Sequence, residues 1–188
     1  MSEMKSSIPI QRILSELNQS LESVTNDQLE SMVSLILQGN KIYVAGVGRS
    51  GLMSRAFAMR LMHLGLRSYV VGDVTTPAFE PGDILIVGSG SGETMGLVTM
   101  VTKARDIQGT IGLITTKRDS TLAKMADITL VIQAGSKEMD KADRYSIQPM
   151  GSLFEQALLM VYDAIVLCLM EKLRVDTEQM FLRHANLE

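Results

Sequence analysis

Two glycine-rich loops, each between a short apolar run and a helical pattern, constrain this sequence more than any other feature. The first spans residues 46–51 (GVGRSG) and the second spans residues 88–94 (GSGSGET). Glycine leaves backbone N–H groups uncovered and a helix N-terminus adds partial positive charge, so such a loop favours anion binding. The order of strand, loop and helix also predicts a parallel sheet with both loops at its carboxyl edge.

The alternation of short β-branched runs with helical stretches from residue 41 onward predicts the fold class. Near-continuous apolar character is typical of strands that are buried on both faces of a parallel sheet. The helices between the strands are predicted over residues 50–64, 93–107 and 120–125, and Gly65 closes the first of them. We therefore predict an α/β three-layer sandwich with a doubly wound, five-stranded parallel sheet. The predicted strands are Ile42–Ala45, Ser68–Val71, Ile84–Val87, Thr110–Ile114 and Ile128–Ile132.

The N-terminal part, residues 1–40, is predicted to hold two amphipathic helices. Apolar side chains recur there at three- to four-residue spacing over residues 10–38. Thr25 and Gln28 have the spacing of a capping box at the start of the second helix. Gly39 is predicted to be the left-handed C-terminal cap of that helix.

Residues 41–132 form the predicted sheet core, and residues 149–188 form the C-terminal part. The polar segment 133–148 between them is predicted to be a long loop. The longest helix is predicted over residues 150–173, and a short helix follows it. With 188 residues, of which 46% are apolar, the chain has enough apolar side chains for one core, and we predict a single domain over residues 1–188.

Composition and charge exclude several classes of protein. The net charge is −3 with no cluster of Lys and Arg, so no binding of nucleic acid is expected. The longest apolar stretch, residues 157–170, contains Asp163 and is shorter than the roughly 20 residues of a membrane span, which predicts a buried helix. The first residues lack the apolar core of a signal peptide, and the single cysteine, Cys168, excludes an intramolecular disulfide. We therefore expect a cytoplasmic protein without membrane association.

The first loop by itself matches the dinucleotide-binding fingerprint. Residues 46–51 follow the pattern G-x-G-x-x-G, and Asp73 lies 22 residues beyond Gly51, where an acidic residue would bind a ribose hydroxyl. This match makes a nicotinamide-dependent oxidoreductase one candidate function. A dinucleotide fold needs only one pyrophosphate site, however, and the second glycine loop is left unexplained by it.

The second loop favours a pocket for one phosphate monoester. Ser89, Ser91 and Thr94 are spaced so that their hydroxyls can converge on one acceptor-rich group, and Ser50 adds a fourth hydroxyl from the first loop. The alternative is that these side chains only cap the helices that they precede. Two such loops together favour the phosphate pocket over helix capping alone and over a dinucleotide site.

Residues 89–94 (SGSGET) resemble the S-x-S-G-E-T signature of the sugar isomerase (SIS) domain family, and residues 48–50 resemble its first loop. Further similar stretches are 57–63, 147–155 and 184–188, so the resemblance covers nearly the whole chain. Within the family, the sequence is most similar to the branch that interconverts 3-hexulose 6-phosphate and fructose 6-phosphate. The resemblance implies a phosphosugar isomerase that needs neither a redox cofactor nor a metal.

The resemblance also implies roles for particular residues. Glu155 would be the base that moves a proton between two carbons through an enediol, and His184 would complete the site of a neighbouring subunit. The phosphate would be bound by the two loops. The loop residues implied are Gly48, Arg49, Ser50, Ser89, Gly90, Ser91, Gly92, Glu93 and Thr94.

Each of these candidates also has a structural interpretation. Glu155 can be an acidic residue favoured by the positive end of a helix dipole. Arg49 can form an ordinary ion pair, and His184 can be a solvated tail residue. His63, near a helix C-terminus that favours a cation, and Cys168, within an apolar helix, are predicted to be structural. Two distant histidines and one cysteine have no metal-ligand spacing, so no metal site is expected.

The resemblance further implies the partners of the protein. The substrate would be a phosphorylated hexulose, and the chain would form a homo-oligomer, a tetramer, with active sites near subunit boundaries. Its reaction would be coupled to the synthase that forms 3-hexulose 6-phosphate, in the ribulose monophosphate pathway of formaldehyde assimilation or detoxification. Two other functions stay open: an isomerase of arabinose 5-phosphate or of a phosphoheptose, and a non-catalytic phosphosugar sensor.

Overall fold

Five parallel strands form one sheet in the computed structural model, which describes residues 8–134 and 146–187. The strands are β1 Ile42–Gly46, β2 Ser68–Val70, β3 Ile84–Gly88, β4 Thr110–Thr115 and β5 Ile128–Val131. Their order across the sheet is β2-β1-β3-β4-β5. Each strand begins at the predicted residue and ends within one residue of the predicted end, and every pair is parallel. The predicted fold class is therefore confirmed.

Seven helices accompany the sheet within the described part of the chain. They are α1 Pro9–Leu21, α2 Asn26–Gln38, α3 Gly48–His63, α4 Met95–Asp106, α5 Thr121–Met125, α6 Ser152–Leu173 and α7 Thr177–Phe181. The predicted starts of α3, α4 and α6 differ from these by two residues. For α6 the reason is local, because Met150 has a φ of 58°, which a right-handed helix does not accommodate.

The side chains of the strands alternate between two apolar clusters, one on each face of the sheet. Ile42 and Val44 of β1 pack with residues of α2, α3 and α6, whereas Tyr43 and Ala45 pack with residues of α4 and α5. Successive side chains of a strand point to opposite faces, so a strand that is buried on both faces is apolar throughout. The result is the predicted three-layer sandwich.

Helix α6 is the main core helix on its face of the sheet. By length and composition alone it could cross a membrane, but eleven of its 22 residues are buried inside the protein. It packs against α1, α2 and α3, and Asp163 in its middle lies on the exposed side. The prediction that this apolar stretch is a buried helix is confirmed.

Both ends of α2 are fixed by neighbouring groups. The Gln28 N–H donates to the Thr25 hydroxyl, and the Thr25 N–H donates to the Gln28 side chain, which confirms the capping box. The prediction of a left-handed cap at Gly39 is wrong, because its φ is −78° and its ψ is 144°. Glycine is needed there for close packing, since a Cβ on Gly39 would collide with the side chain of Ile84.

The predicted loop over residues 133–148 lies mostly outside the described residues, which omit 135–145. Its last residues are bound to α1. The Glu16 carboxylate accepts hydrogen bonds from the Ser146 hydroxyl at 2.6 Å and from the Ile147 N–H at 2.7 Å. These bonds fix the chain just before the start of α6.

Candidate functional site

The two glycine loops lie side by side at the carboxyl edge of the sheet, where the strand order reverses. Gly46 at the end of β1 and Gly88 at the end of β3 are register partners on adjacent strands. From there the chain enters α3 on one face of the sheet and α4 on the other. The crevice outside the ends of two such strands is the usual ligand site of doubly wound sheets.

The serine hydroxyls of the second loop accept hydrogen bonds from the backbone of that loop. Ser89 Oγ accepts one from the Gly92 N–H at 3.2 Å, and Ser91 Oγ accepts one from the Glu93 N–H at 3.3 Å. Within residues 8–134 and 146–187, neither hydroxyl donates to a protein acceptor. Ser91 is half-buried and Ser89 is 4% exposed, and each retains an O–H donor. Phosphate oxygens are acceptors and match this arrangement.

The other two candidate hydroxyls lie at the starts of helices. Thr94 is the N-cap residue of α4, but its side chain makes no capping hydrogen bond. The interpretation that Thr94 only caps its helix is therefore wrong. Ser50 lies in the first turn of α3, and both residues are half-buried, so that a small ligand can reach them.

Residues after β4 support the second loop. The hydroxyls of Thr115 and Thr116 both donate to the Gly90 C=O, at 3.2 and 2.7 Å. Gly92 has a φ of 67°, and a Cβ at this position would collide with the side chain of Ser120. These contacts hold the loop in one conformation, which reduces the conformational entropy lost on binding.

Glu93, which the resemblance places in the phosphate site, binds a neighbouring helix. Its carboxylate accepts a hydrogen bond from the Thr121 N–H at 2.8 Å, at the start of α5. Hydrogen bonds from the Thr121 hydroxyl and N–H lower the pKa of this exposed carboxyl. The structure therefore shows a loop-supporting contact for Glu93, and a direct contact with a ligand stays a prediction.

Glu155 lies in the first turn of α6 and is only 4% exposed. Its Oε2 atom is 2.9 Å from Nη1 of Arg49, which also donates to Oγ of Ser152 at 2.7 Å. Arg49 thus forms the ion pair that its structural interpretation expected, while its side chain remains 54% exposed. The guanidinium offsets part of the cost of burying the carboxylate and leaves other N–H groups open to a ligand.

The same end of α6 contacts the second loop. The Phe154 ring packs on Gly90 so closely that a Cβ there would lie 3.0 Å from the ring carbon Cδ1. Both loops and the first turn of α6 therefore meet at one place. The arrangement can hold a small anion on the loops and keep the Glu155 carboxylate beside it.

His184 lies near the opposite end of α3 from Arg49. Its ring stacks on that of His63 with 5.5 Å between centroids, and Arg183 donates to the His63 C=O at 3.1 Å. His63 follows Arg49 by 14 residues on α3, a separation of about 21 Å along a helix. Within one chain the structure does not bring His184 to Glu155, and a catalytic role for His184 requires a second subunit.

Acidification is expected to destabilise the fold through His63. Burial, with the charges of Arg60 and His184, lowers the pKa of His63, which is the opposite of the direction expected at a helix C-terminus. The folded state favours the neutral ring, so its stabilisation is complete above the unfolded pKa and is lost as pH falls through the folded pKa. Between about pH 7 and pH 5, the melting temperature of the wild type should fall more than that of His63→Gln. Parallel melting curves against pH would contradict this.

Asp73, the acidic residue of the dinucleotide pattern, is engaged with another side chain. Its carboxylate accepts two hydrogen bonds from the Arg55 guanidinium, at 2.7 and 3.2 Å. A ribose hydroxyl would have to displace this pair. The nicotinamide interpretation therefore gains no support from the structure.

Sequence reasoning missed three hydroxyls around the crevice, those of Thr115, Thr116 and Ser152. The two threonines come at the end of β4, and the rule that polar residues at the carboxyl ends of parallel strands meet could have found them. Ser152 carries no such signal, because its contact with Arg49 depends on how α6 packs against α3.

Comparison with known proteins identifies the family. The sequence model of the SIS domain matches residues 35–160. The 3-hexulose-6-phosphate isomerase of Bacillus subtilis (strain 168) is 43% identical over 185 residues, which cover 98% of this chain and 100% of that protein. The protein of the same name from Mycobacterium gastri is 44% identical over 165 residues, which cover 88% of this chain and 82% of that protein.

A solved structure is similar as well. It is the crystal structure of a hypothetical protein from Methanococcus jannaschii, for which a molecular function of 3-hexulose-6-phosphate isomerase was inferred. It is 34% identical, with a TM-score of 0.83, and the match covers 95% of this chain and 98% of that one. The sequence matches and the similar fold confirm the resemblance that the two loops indicated: this chain belongs to the SIS domain family.

Proposed function

We propose that this protein is a phosphosugar isomerase that interconverts 3-hexulose 6-phosphate and fructose 6-phosphate. The observation that carries the proposal is the buried carboxylate of Glu155 beside two glycine loops with hydroxyls available to an anion. Isomerisation of a phosphosugar needs both parts, an anchor for the phosphate and a base next to the carbon that loses its proton. The names of the relatives from B. subtilis and M. gastri support this choice of substrate.

The loops bind the phosphate in this proposal. Its oxygens accept hydrogen bonds from backbone N–H groups and from the hydroxyls of Ser50, Ser89, Ser91 and Thr94. The N-termini of α3 and α4 add partial positive charge at the same place. Local attraction is needed because the whole chain carries a net charge of −3, which repels an anionic sugar at long range.

The proposed reaction moves a proton between two neighbouring carbons. Glu155 removes the proton from C2 of 3-hexulose 6-phosphate, which gives a 2,3-enediolate. It returns a proton to C3 while the proton on O2 passes to O3, and the product is fructose 6-phosphate. Arg49, whose Nη1 lies 2.9 Å from the carboxylate, orients this base and offers its exposed N–H groups to the charge that develops on the enediolate. The two keto sugars have the same oxidation state, so these steps use no redox cofactor.

The proposal extends to the assembly and its setting. The active form is a homo-oligomer, a tetramer, in which His184 reaches the site of a neighbouring subunit. Exposed apolar side chains that support association include Ile10, Leu14, Leu52 and Phe181. The protein acts in the cytoplasm, in the ribulose monophosphate pathway of formaldehyde assimilation or detoxification, beside the synthase that supplies 3-hexulose 6-phosphate.

The test is an isomerase assay in which 3-hexulose 6-phosphate is supplied enzymatically and fructose 6-phosphate is detected by a coupled reporter. We expect turnover of this substrate and none of arabinose 5-phosphate or sedoheptulose 7-phosphate. Turnover of only one of those two sugars would assign the chain to another isomerase of the family.

A thermal-shift experiment separates the enzyme from the other classes. Fructose 6-phosphate is expected to raise the melting temperature, because a ligand at about 100 times its Kd stabilises the folded state by about 2.7 kcal/mol. Unphosphorylated fructose is the matched control and should cause no shift, and neither should NAD. A shift with NAD alone would favour the oxidoreductase, and a shift with fructose 6-phosphate without turnover would favour a sensor.

A further inference from the structure

Two buried hydroxyls lie between the elements that carry the site. Tyr162, on α6, is fully buried, and its hydroxyl is 3.2 Å from Oγ of Ser54 on α3, which is also buried. The Ser54 hydroxyl lies 3.3 Å from the Ala45 C=O and 3.1 Å from the Ser50 C=O. Burial raises the pKa of Tyr162, so its hydroxyl keeps its proton and remains a donor.

This hydroxyl pair connects the helix that carries Glu155 to both loops. Ser50 belongs to the first loop, and Gly88 opens the second. A Cβ on Gly88 would lie 2.8 Å from the Tyr162 hydroxyl and 3.3 Å from Ser54 Oγ, so both hydroxyls pack directly against this backbone. Tyr162 follows Glu155 by seven residues, about two turns of helix, which places both on one side of α6.

Apolar packing also holds the Tyr162 side chain in the core. The Tyr162 ring stacks on Phe57 with 4.2 Å between centroids and lies in the larger apolar cluster. Replacing both partners of a buried hydrogen bond with apolar groups of the same shape is close to neutral for folding. The hydrogen bond between the two hydroxyls restricts the relative position of α6 and α3, because a hydrogen bond is confined to a narrow range of distance and angle. Apolar packing imposes no such restriction.

We infer that Tyr162 and Ser54 are positioning residues for the isomerase, whose hydrogen bond fixes the first turn of α6, and with it Glu155, relative to the phosphate loops. The inference rests on the proposed function, since it assigns the distance between the base and the bound sugar to this pair. Proton transfer depends on that distance, and a misplacement of about 1 Å can reduce turnover by about 100-fold. Phosphate binding depends on it much less, because the second loop is held by a hydrogen bond of its own and by those that Thr115 and Thr116 donate to Gly90.

The test compares Tyr162→Phe, Ser54→Ala and the double variant with the wild type. We expect kcat to fall about tenfold in Tyr162→Phe and by the same factor in the double variant, with KM within about twofold of the wild type. The double variant should melt at a higher temperature than Ser54→Ala, which leaves the Tyr162 hydroxyl buried without its acceptor. A double variant that melts higher than Ser54→Ala but still turns over slowly distinguishes a positioning role from a role in folding.

Tyr43→Phe is the matched control. It removes a tyrosine hydroxyl that is similarly buried but lies in the amino-terminal half of β1, where it donates to the Ala78 C=O at 2.7 Å. Its kcat is expected to stay within about twofold of the wild type. An equal loss of kcat in Tyr43→Phe, or wild-type kcat in both Tyr162→Phe and the double variant, would overturn the inference.

Hydrogen exchange separates this inference from the proposed function. The backbone amides of residues 155–158, at the start of α6, are expected to exchange faster in Tyr162→Phe than in Tyr43→Phe, whether or not the protein isomerises hexulose phosphates. A wild type without turnover would contradict the proposed function alone. Equal exchange of these amides in the two variants would overturn the positioning role.

Discussion

Replacing Glu155 with Gln is expected to lower kcat by about 1,000-fold and to change KM by less than about threefold. Gln keeps the shape of the side chain but cannot accept the C2 proton, so proton transfer is lost. The loop hydroxyls that bind the phosphate are untouched, so the affinity for the sugar phosphate should remain. The measurement is the steady-state rate in both directions of the isomerisation.

Glu171→Gln is the matched control for this variant. Glu171 lies on the same helix, near its other end, and is exposed. It should keep the kcat and KM of the wild type, and both variants should show cooperative melting. If Glu155→Gln keeps more than about a tenth of the wild-type kcat, Glu155 is not the general base.

Replacing both Ser89 and Ser91 with Ala is expected to raise KM by about 100-fold or more, with a smaller effect on kcat. Each hydroxyl can donate to a phosphate oxygen, and a hydrogen bond to a charged group contributes about 1.5–3 kcal/mol, so that two of them correspond to this factor. Inorganic phosphate should inhibit the wild type by competition and the double variant much less. The measurements are KM for the sugar phosphate and the inhibition constant of phosphate.

Ser31→Ala is the control for the serine variant. Ser31 is exposed on α2, and its hydroxyl donates to the Asp27 C=O within that helix. Its removal should leave KM and phosphate inhibition unchanged. The melting temperature of the Ser89/Ser91 variant is needed as well, because Ser89 Oγ accepts the Gly92 N–H. Wild-type KM and wild-type phosphate inhibition in the double variant would mean that these serines only support the loop backbone and do not bind the phosphate.

The strands could be predicted because each is a short apolar run with a polar or glycine boundary. The run before the second loop is an example. Ile84–Gly88 is buried at every position, so the strand shows no alternation between apolar and polar side chains and is recognised as one continuous apolar run. Helix ends were harder. The close approach of Ile84 to Gly39 and the positive φ of Met150 result from packing and backbone geometry that the local sequence does not show.

The candidate site was predicted in part for the same reason. The two loops are contiguous patterns, and because each follows a strand, the sequence predicts that they lie at one edge of the sheet. The sequence did not predict the hydrogen bond between Glu93 and Thr121 or the two threonine hydroxyls that bind the Gly90 C=O. Each of these contacts depends on a neighbouring strand or helix. Contacts of this kind are set by the packing of elements and not by the spacing of residues.

The sequence by itself determined the α/β fold and the presence of two hydroxyl-bearing glycine loops, because hydrophobic period and loop composition are local properties of the chain. Only the tertiary structure decided which charges and rings meet. Arg49 and Ser152 are 103 residues apart, and Arg183 and His63 are 120 residues apart. Such pairs form only after α6 and the C-terminal segment pack against α3, and that packing is a property of the whole core, which no local pattern encodes.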